Sequence, residues 1–266
     1  MNIDKLILFG DSITQYSNQI VDGFALQPEL QDLYIRRLDI LNRGFSGYNS
    51  EHARLILPKI LEAELNESKN NVKVMTIFFG TNDGFVGINS IQPVELPRYK
   101  ENIAFLVKLA LENNVKPIVV GPSLHDPKIG AECFEYLQEQ EAVTCERYLH
   151  YSEAAKSVCL EFKVPFIDLW EGFRKDGGWT KEQLFAIRKD SPHGEVPSLG
   201  AYLCDGIHFT SRAYKILFRA IVKAIEQNYP EYLPQNLPYK LAYWRDIDHT
   251  DLDSIFKEKE GKDSIY

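Results

Sequence analysis

Short apolar runs alternate with amphipathic stretches along most of this chain. Leu6-Ile7-Leu8-Phe9 reads as a buried strand, and so do the runs near 39–42, 72–79, 117–120 and 165–168. Between them the apolar positions recur at helical spacing. A helix is predicted within 25–37, with Pro28 placed in its first turn, where a missing N–H costs little. Ser50 is the predicted cap of a helix whose core stripe is Leu55, Leu57, Ile60 and Leu61, kinked where Pro58 interrupts it. A helix over 98–112 puts Ile103, Leu106, Val107 and Ala110 on one face. A long helical stretch over 134–162 carries Tyr148, Tyr151 and Ala155, shorter helices follow near 168–175 and 180–188, and a last one runs from Thr210-Ser211 to Gln227. Strand alternating with helix implies an α/β fold, a parallel sheet with helices on both faces.

Composition narrows the function classes. At 266 residues, one domain over 1–248 is expected, long enough to bury a sizeable core, followed by a charged and mobile tail over 249–266. A net charge of −8 argues against a nucleic-acid surface. No apolar run approaches a membrane span, and Met1-Asn2-Ile3-Asp4-Lys5-Leu6 lacks a signal-peptide pattern. Cys133, Cys145, Cys159 and Cys204 show no metal-ligand spacing and read as reduced thiols of a cytoplasmic protein. Cys204 adjoins an acid, so a redox role is set beside the ordinary one of a small buried thiol.

The chemistry concentrates in four segments. Gly10-Asp11-Ser12 puts a serine on a sharp turn after the first strand, and Asp205-Gly206-Ile207-His208 puts an acid three residues before a histidine. A serine hydroxyl becomes a nucleophile when a base takes its proton, and the base works better when an acid orients it. Ser12, His208 and Asp205 fill those roles. The loops Asn42-Arg43-Gly44-Phe45-Ser46-Gly47 and Gly80-Thr81-Asn82-Asp83 each follow a strand. Loops leaving the carboxyl ends of neighbouring parallel strands meet in one crevice. There the N–H groups of Ser12 and Gly44 and the side-chain amide of Asn82 would supply donors to a developing oxyanion. Taken singly, Gly44 is equally a turn glycine and Asn82 a helix cap. Asp11 and Asp83 read as turn-fixing residues. Phe45, Phe85 and Val86 adjoin these loops and are candidate substrate-binding residues. His125 is either a substrate contact or an ordinary loop histidine.

These four segments resemble the four blocks of the GDSL, or SGNH-type, serine hydrolases. The order and spacing also match. Phe9 to Thr14, Asn42 to Tyr48, and Tyr239-Lys240-Leu241 with Trp244-Arg245-Asp246 are similar to the isoamyl acetate-hydrolysing branch. The resemblance spans roughly 5–247 and implies a three-layer, flavodoxin-like SGNH hydrolase fold. Its central five-stranded parallel sheet would have strand order 2-1-3-4-5. It also implies a carboxylic ester hydrolase on small acyl, acetate-type esters, working through a Ser-His-Asp triad and an acyl-enzyme. No metal or organic cofactor is implied. The expected partner is a small-molecule ester, with neither nucleic acid nor membrane, and homodimerisation stays open. The same fold supports lysophospholipases, thioesterases, carbohydrate deacetylases and alcohol acyltransferases, and a non-catalytic binding protein is the remaining alternative. Residues 188–201 look like an insertion beside the catalytic acid, either a rim of the site or a surface excursion.

Overall fold

The structure is a computed structural model that describes residues 3–65, 71–86, 91–133, 143–192 and 194–258. Five parallel strands form one sheet: β1 (Asp4–Gly10), β2 (Leu38–Gly44), β3 (Val72–Phe78), β4 (Lys116–Val120) and β5 (Phe166–Ile167), in the order β2-β1-β3-β4-β5. This is the three-layer α/β arrangement expected. Side-chain alternation along the strands separates two cores. Leu6, Leu8, Val74, Phe78, Ile118 and Val120 face one way, under α2 (Leu26–Leu33) and α9 (Ser211–Asn228). Ile7, Phe9, Met75, Ile77 and Val119 face the other way, under α3 (Ser50–Leu65), α4 (Leu96–Glu112) and α6 (Cys145–Phe162). The remaining described helices are α1 (Ser12–Gln15), α5 (Pro127–Cys133), α7 (Leu169–Gly177) and α8 (Lys181–Phe185). None of the described helices is long and apolar enough to cross a membrane.

The register sets where the site lies. Gly10 pairs with Gly44 on one side and with Phe78 on the other, so three strands end level. The loops that follow them leave the sheet side by side, where the chain order reverses around β1.

Several local expectations change. Asn49, not Ser50, caps α3: its Oδ1 accepts the His52 N–H at 3.0 Å, and Ser50 is the first helical residue. Leu55 is 74% exposed, because the core stripe is Ala53, Leu57, Ile60 and Leu61. The helix runs through Pro58 without a break. The stretch expected over 134–162 begins at Cys145, capped by the Thr144 hydroxyl, and 134–142 lies outside the described residues. Helix α8 stops at Phe185, short of the expected 188. Residues 249–258, expected to be mobile, carry a short 3-10 helix over Leu252–Phe256 and bond back to the body. The Ala242 N–H donates to the Ile255 carbonyl at 2.9 Å, and the Arg36 guanidinium holds the carbonyls of Leu241 and Ala242 at 2.7 and 2.8 Å. These anchors are backbone groups, which a charge-rich composition does not reveal. The rest of that stretch, 259–266, lies outside the described residues.

Candidate active site

Strand β1 ends at Gly10, and Asp11 caps α1 by accepting the Ile13 N–H on Oδ1 at 2.9 Å. That cap turns the chain sharply and makes Ser12 the first helical residue. The far side of the site is a tight loop closed by the Leu203–Phe209 bridge. In it, Asp205 Oδ1 accepts the N–H groups of Ile207 and His208 at 3.0 and 2.8 Å. This leaves Oδ2 for the imidazole: His208 Nδ1 lies 2.6 Å from it. His208 Nε2 in turn lies 2.9 Å from Ser12 Oγ. With the Nδ1 proton donated to the carboxylate, Nε2 is the acceptor for the serine O–H. The Tyr16 ring stands edge-on to the imidazole, with centroids 5.3 Å apart. Partial burial raises the Asp205 pKa, but bonds to the His208 ring and to the two N–H groups outweigh it and hold the carboxyl at about 2. The three side chains expected to act together are therefore one hydrogen-bonded chain.

The donor loops are arranged differently from expectation at one position. Asn82 donates from Nδ2 to the Tyr48 carbonyl at 2.7 Å, leaving its second amide hydrogen outside that bond. Gly44 does not serve as a donor to the crevice. It is the last residue of β2, and its N–H is taken by Asn42 Oδ1 at 2.9 Å. Asn42 Nδ2 reaches the Thr14 carbonyl at 2.9 Å, so Asn42 and Gly44 together seat α1 against β2. A Cβ on Gly44 would lie 2.0 Å from the Gln15 backbone nitrogen. Gly44→Ala is therefore expected to cost at least ~1–3 kcal/mol by overpacking against backbone, lowering Tm by several degrees. Thermal melting checks this, and an unchanged Tm would mean that α1 shifts freely. The second glycine of this segment, Gly47, has a different environment. It adopts φ +79°, and its N–H has no hydrogen-bond partner among the described residues. Its carbonyl accepts from Gln92 Nε2, which also donates to Asn82 Oδ1, each at 3.3 Å. The sequence signal for it was the second glycine of the same loop.

The other candidates are mostly structural. Phe85 is only 8% exposed and belongs to the core, so it does not line an open wall. Phe45 stacks on Tyr48 at 5.4 Å and packs edge-on to Phe9, and Val86 is half-buried against the core. Asp83 takes the Ser50 N–H on both oxygens and fixes its turn, while burial raises its carboxyl to about 6. Burial likewise raises Asp11 to about 7, and its Oδ2 has no hydrogen-bond partner among the described residues. His125 is buried with its ring edge-on to Tyr148, and burial lowers its pKa to about 4, so it is a neutral core histidine. Burial and the Asp205 charge both raise the Cys204 thiol, which disfavours a reactive thiolate. Within the 188–201 segment, the Leu199 N–H donates to Asp126 Oδ2 at 3.0 Å. The Asp126 N–H donates to the Gly206 carbonyl at 3.0 Å, so one residue ties this segment to the Asp205–His208 loop.

Known proteins carry the same arrangement of sequence. The profile of the GDSL-like Lipase/Acylhydrolase family matches residues 8–216, from the end of β1 to within α9. The chain belongs to the GDSL-like lipase/acylhydrolase family. Within this family it is 37% identical over 258 residues to the isoamyl acetate-hydrolyzing esterase of Saccharomyces cerevisiae, covering 93% of this chain and 96% of that protein. It is 30% identical over 251 residues to the human isoamyl acetate-hydrolyzing esterase 1 homolog, covering 91% and 88%. Among solved structures, a putative acylhydrolase from Bacteroides fragilis superposes with a TM-score of 0.59 at 18% identity, over 85% of this chain and 90% of that one. A lipase/acylhydrolase from Enterococcus faecalis gives 0.57 at 20% identity, over 90% and 100%. Like its GDSL relatives, the protein is a serine esterase.

Proposed function

We propose that this chain hydrolyses small acyl esters of the acetate type through an acyl-enzyme on Ser12. The observation that carries this reading is the unbroken chain from Ser12 Oγ through His208 to Asp205, at 2.9 and 2.6 Å. His208 Nε2 takes the hydroxyl proton as Oγ attacks the ester carbonyl. Asp205 holds the tautomer and stabilises the imidazolium. The negative oxygen of the tetrahedral intermediate sits among the N–H of Ser12, the N–H of Gly47 and the Asn82 amide. His208 then protonates the leaving alcohol, and water attacks the acyl-enzyme with His208 again as base. No metal ion or organic cofactor has a step in this scheme. The Tyr16 ring borders the imidazole, and the Tyr48 carbonyl holds the Asn82 amide. All four cysteines are free, consistent with work in a reducing cytoplasm.

The test is a panel of esters in which acyl and alcohol lengths vary independently, alongside labelling with a fluorophosphonate. Labelling on Ser12, with kcat/KM highest for acetyl esters, is expected. A preference for long acyl chains would move the reading to a lysophospholipase or thioesterase. Absence of labelling would leave a binding protein.

A further inference from the structure

We propose that Gln92 is a positioning residue that fixes the rotamer of the Asn82 amide and couples it to the Gly47 loop. The proposal rests on the reading of Asn82 and Gly47 as oxyanion donors. An asparagine amide can rotate by half a turn and exchange its oxygen for its nitrogen with almost no change in shape. Only one of the two states presents an N–H to an oxyanion. The Tyr48 carbonyl can only accept, and Asn82 Nδ2 donates to it at 2.7 Å. The Gln92 NH2 can only donate, and Asn82 Oδ1 accepts from it at 3.3 Å. A flipped Asn82 would place oxygen against oxygen at Tyr48 and nitrogen against nitrogen at Gln92. Two partners of opposite sense therefore select one state.

Gln92 is itself held in one sense. Its Nε2 also donates to the Gly47 carbonyl at 3.3 Å, and Gly47 lies in the other donor loop. One NH2 group thus spans both loops, and its two hydrogens suit two acceptors. The backbone beneath it is anchored. Asn49 Nδ2 donates to the carbonyls of Ile91 and Gln92 at 3.1 and 2.9 Å. The Val94 N–H donates to the Asp83 carbonyl at 3.0 Å. Asn49 caps α3 and Asp83 follows Asn82, so the 91–94 segment is pinned to both loops that it bridges. A donor that develops its full worth only in the transition state must be preorganised, because reorienting it during the reaction spends the gain.

The test is a double-mutant cycle on purified full-length protein, with p-nitrophenyl acetate as substrate. Gln92→Met keeps the length of the side chain and removes its donor. Gln92→Glu keeps the shape and puts an acceptor against Asn82 Oδ1. Each is expected to lower kcat by ~10-fold or more with KM within about twofold, the signature of an interaction made in the transition state. Asn82→Ala alone is expected to lower kcat by ~10²–10³. In the Asn82→Ala background either Gln92 substitution should cost several-fold less in kcat than in the wild type, because what it contributes through Asn82 is already gone and only its hold on the Gly47 loop remains. A loss that persists undiminished in that background would show a general structural role and overturn the proposal. Unchanged kcat in both Gln92 variants, with Asn82→Ala impaired, would overturn the proposal while sparing the oxyanion reading. Unchanged kcat in Asn82→Ala would overturn both. Melting curves accompany every variant, and the Glu variant carries the test if the Met variant fails to fold.

Discussion

Ser12→Ala should abolish ester hydrolysis while leaving the fold in place. Removing a nucleophile of this kind lowers kcat by ~10⁴–10⁶. The side chain is small, only 4% exposed, and its hydroxyl is bonded to His208. Losing one hydrogen bond of ~1 kcal/mol should move Tm by no more than about 2–4 °C. The Asp11 cap that shapes the turn uses the Ile13 N–H and does not depend on the serine hydroxyl. Steady-state assays on p-nitrophenyl acetate, with a melting curve for each protein, check both halves. A variant retaining a tenth of wild-type activity would remove Ser12 from the mechanism.

Asp205→Asn should be slower by ~10⁴ in kcat, although it changes one atom. The reason lies in the loop. Oδ1 accepts two backbone N–H groups, so the oxygen of an asparagine would stay there and its NH2 would face the imidazole. His208 Nδ1 would then have to accept, which sends the ring proton to Nε2, where it meets Ser12 as a donor. The base would be present in the wrong tautomer. The pH dependence separates this from a simple titration. The Asp205 pKa is depressed from its ordinary 3.8 to about 2, so the carboxylate stays charged throughout the working range. Its contribution to stability is present above about pH 4 and is lost as pH falls through about 2. Acid loss of activity above about pH 3 in the wild type therefore reports another group. A kcat within tenfold of wild type for Asp205→Asn would show that no carboxylate is needed at this position.

The strands and the reacting side chains were legible because their signals are local. Leu6 to Phe9 is apolar whatever surrounds it, and Asp205 and His208 are close enough in sequence for one turn to join them. The resemblance then joined that turn to Ser12. Gly44 and Gly47 could not be separated in this way. Both sit in one six-residue motif, and what separates them is tertiary: Gly44 meets the Gln15 backbone and Asn42, while Gly47 shares Gln92 with Asn82. Leu55 fits a helical stripe on spacing alone, yet the helix turns it outward to 74% exposure. Phe85 adjoins the Asn82 loop in sequence but points into the core. Gln92 had no signal at all, because it lies in an irregular segment and its role exists only between two loops.

Ser12 and His208 stand 196 positions apart, and the Tyr214 hydroxyl ties α9 to the Ile13 carbonyl across 201. No early portion of the chain can hold a working site. A growing polypeptide of this protein is chemically silent through the synthesis of all five strands, and acquires its base only when the last quarter of the chain docks. The same closure is among the longest in the chain and so among the costliest in loop entropy, and its loss needs no melting of the sheet. Activity is accordingly a sensor of whether the two ends of the molecule are together, and it will report their parting before any measure of helix or strand content does.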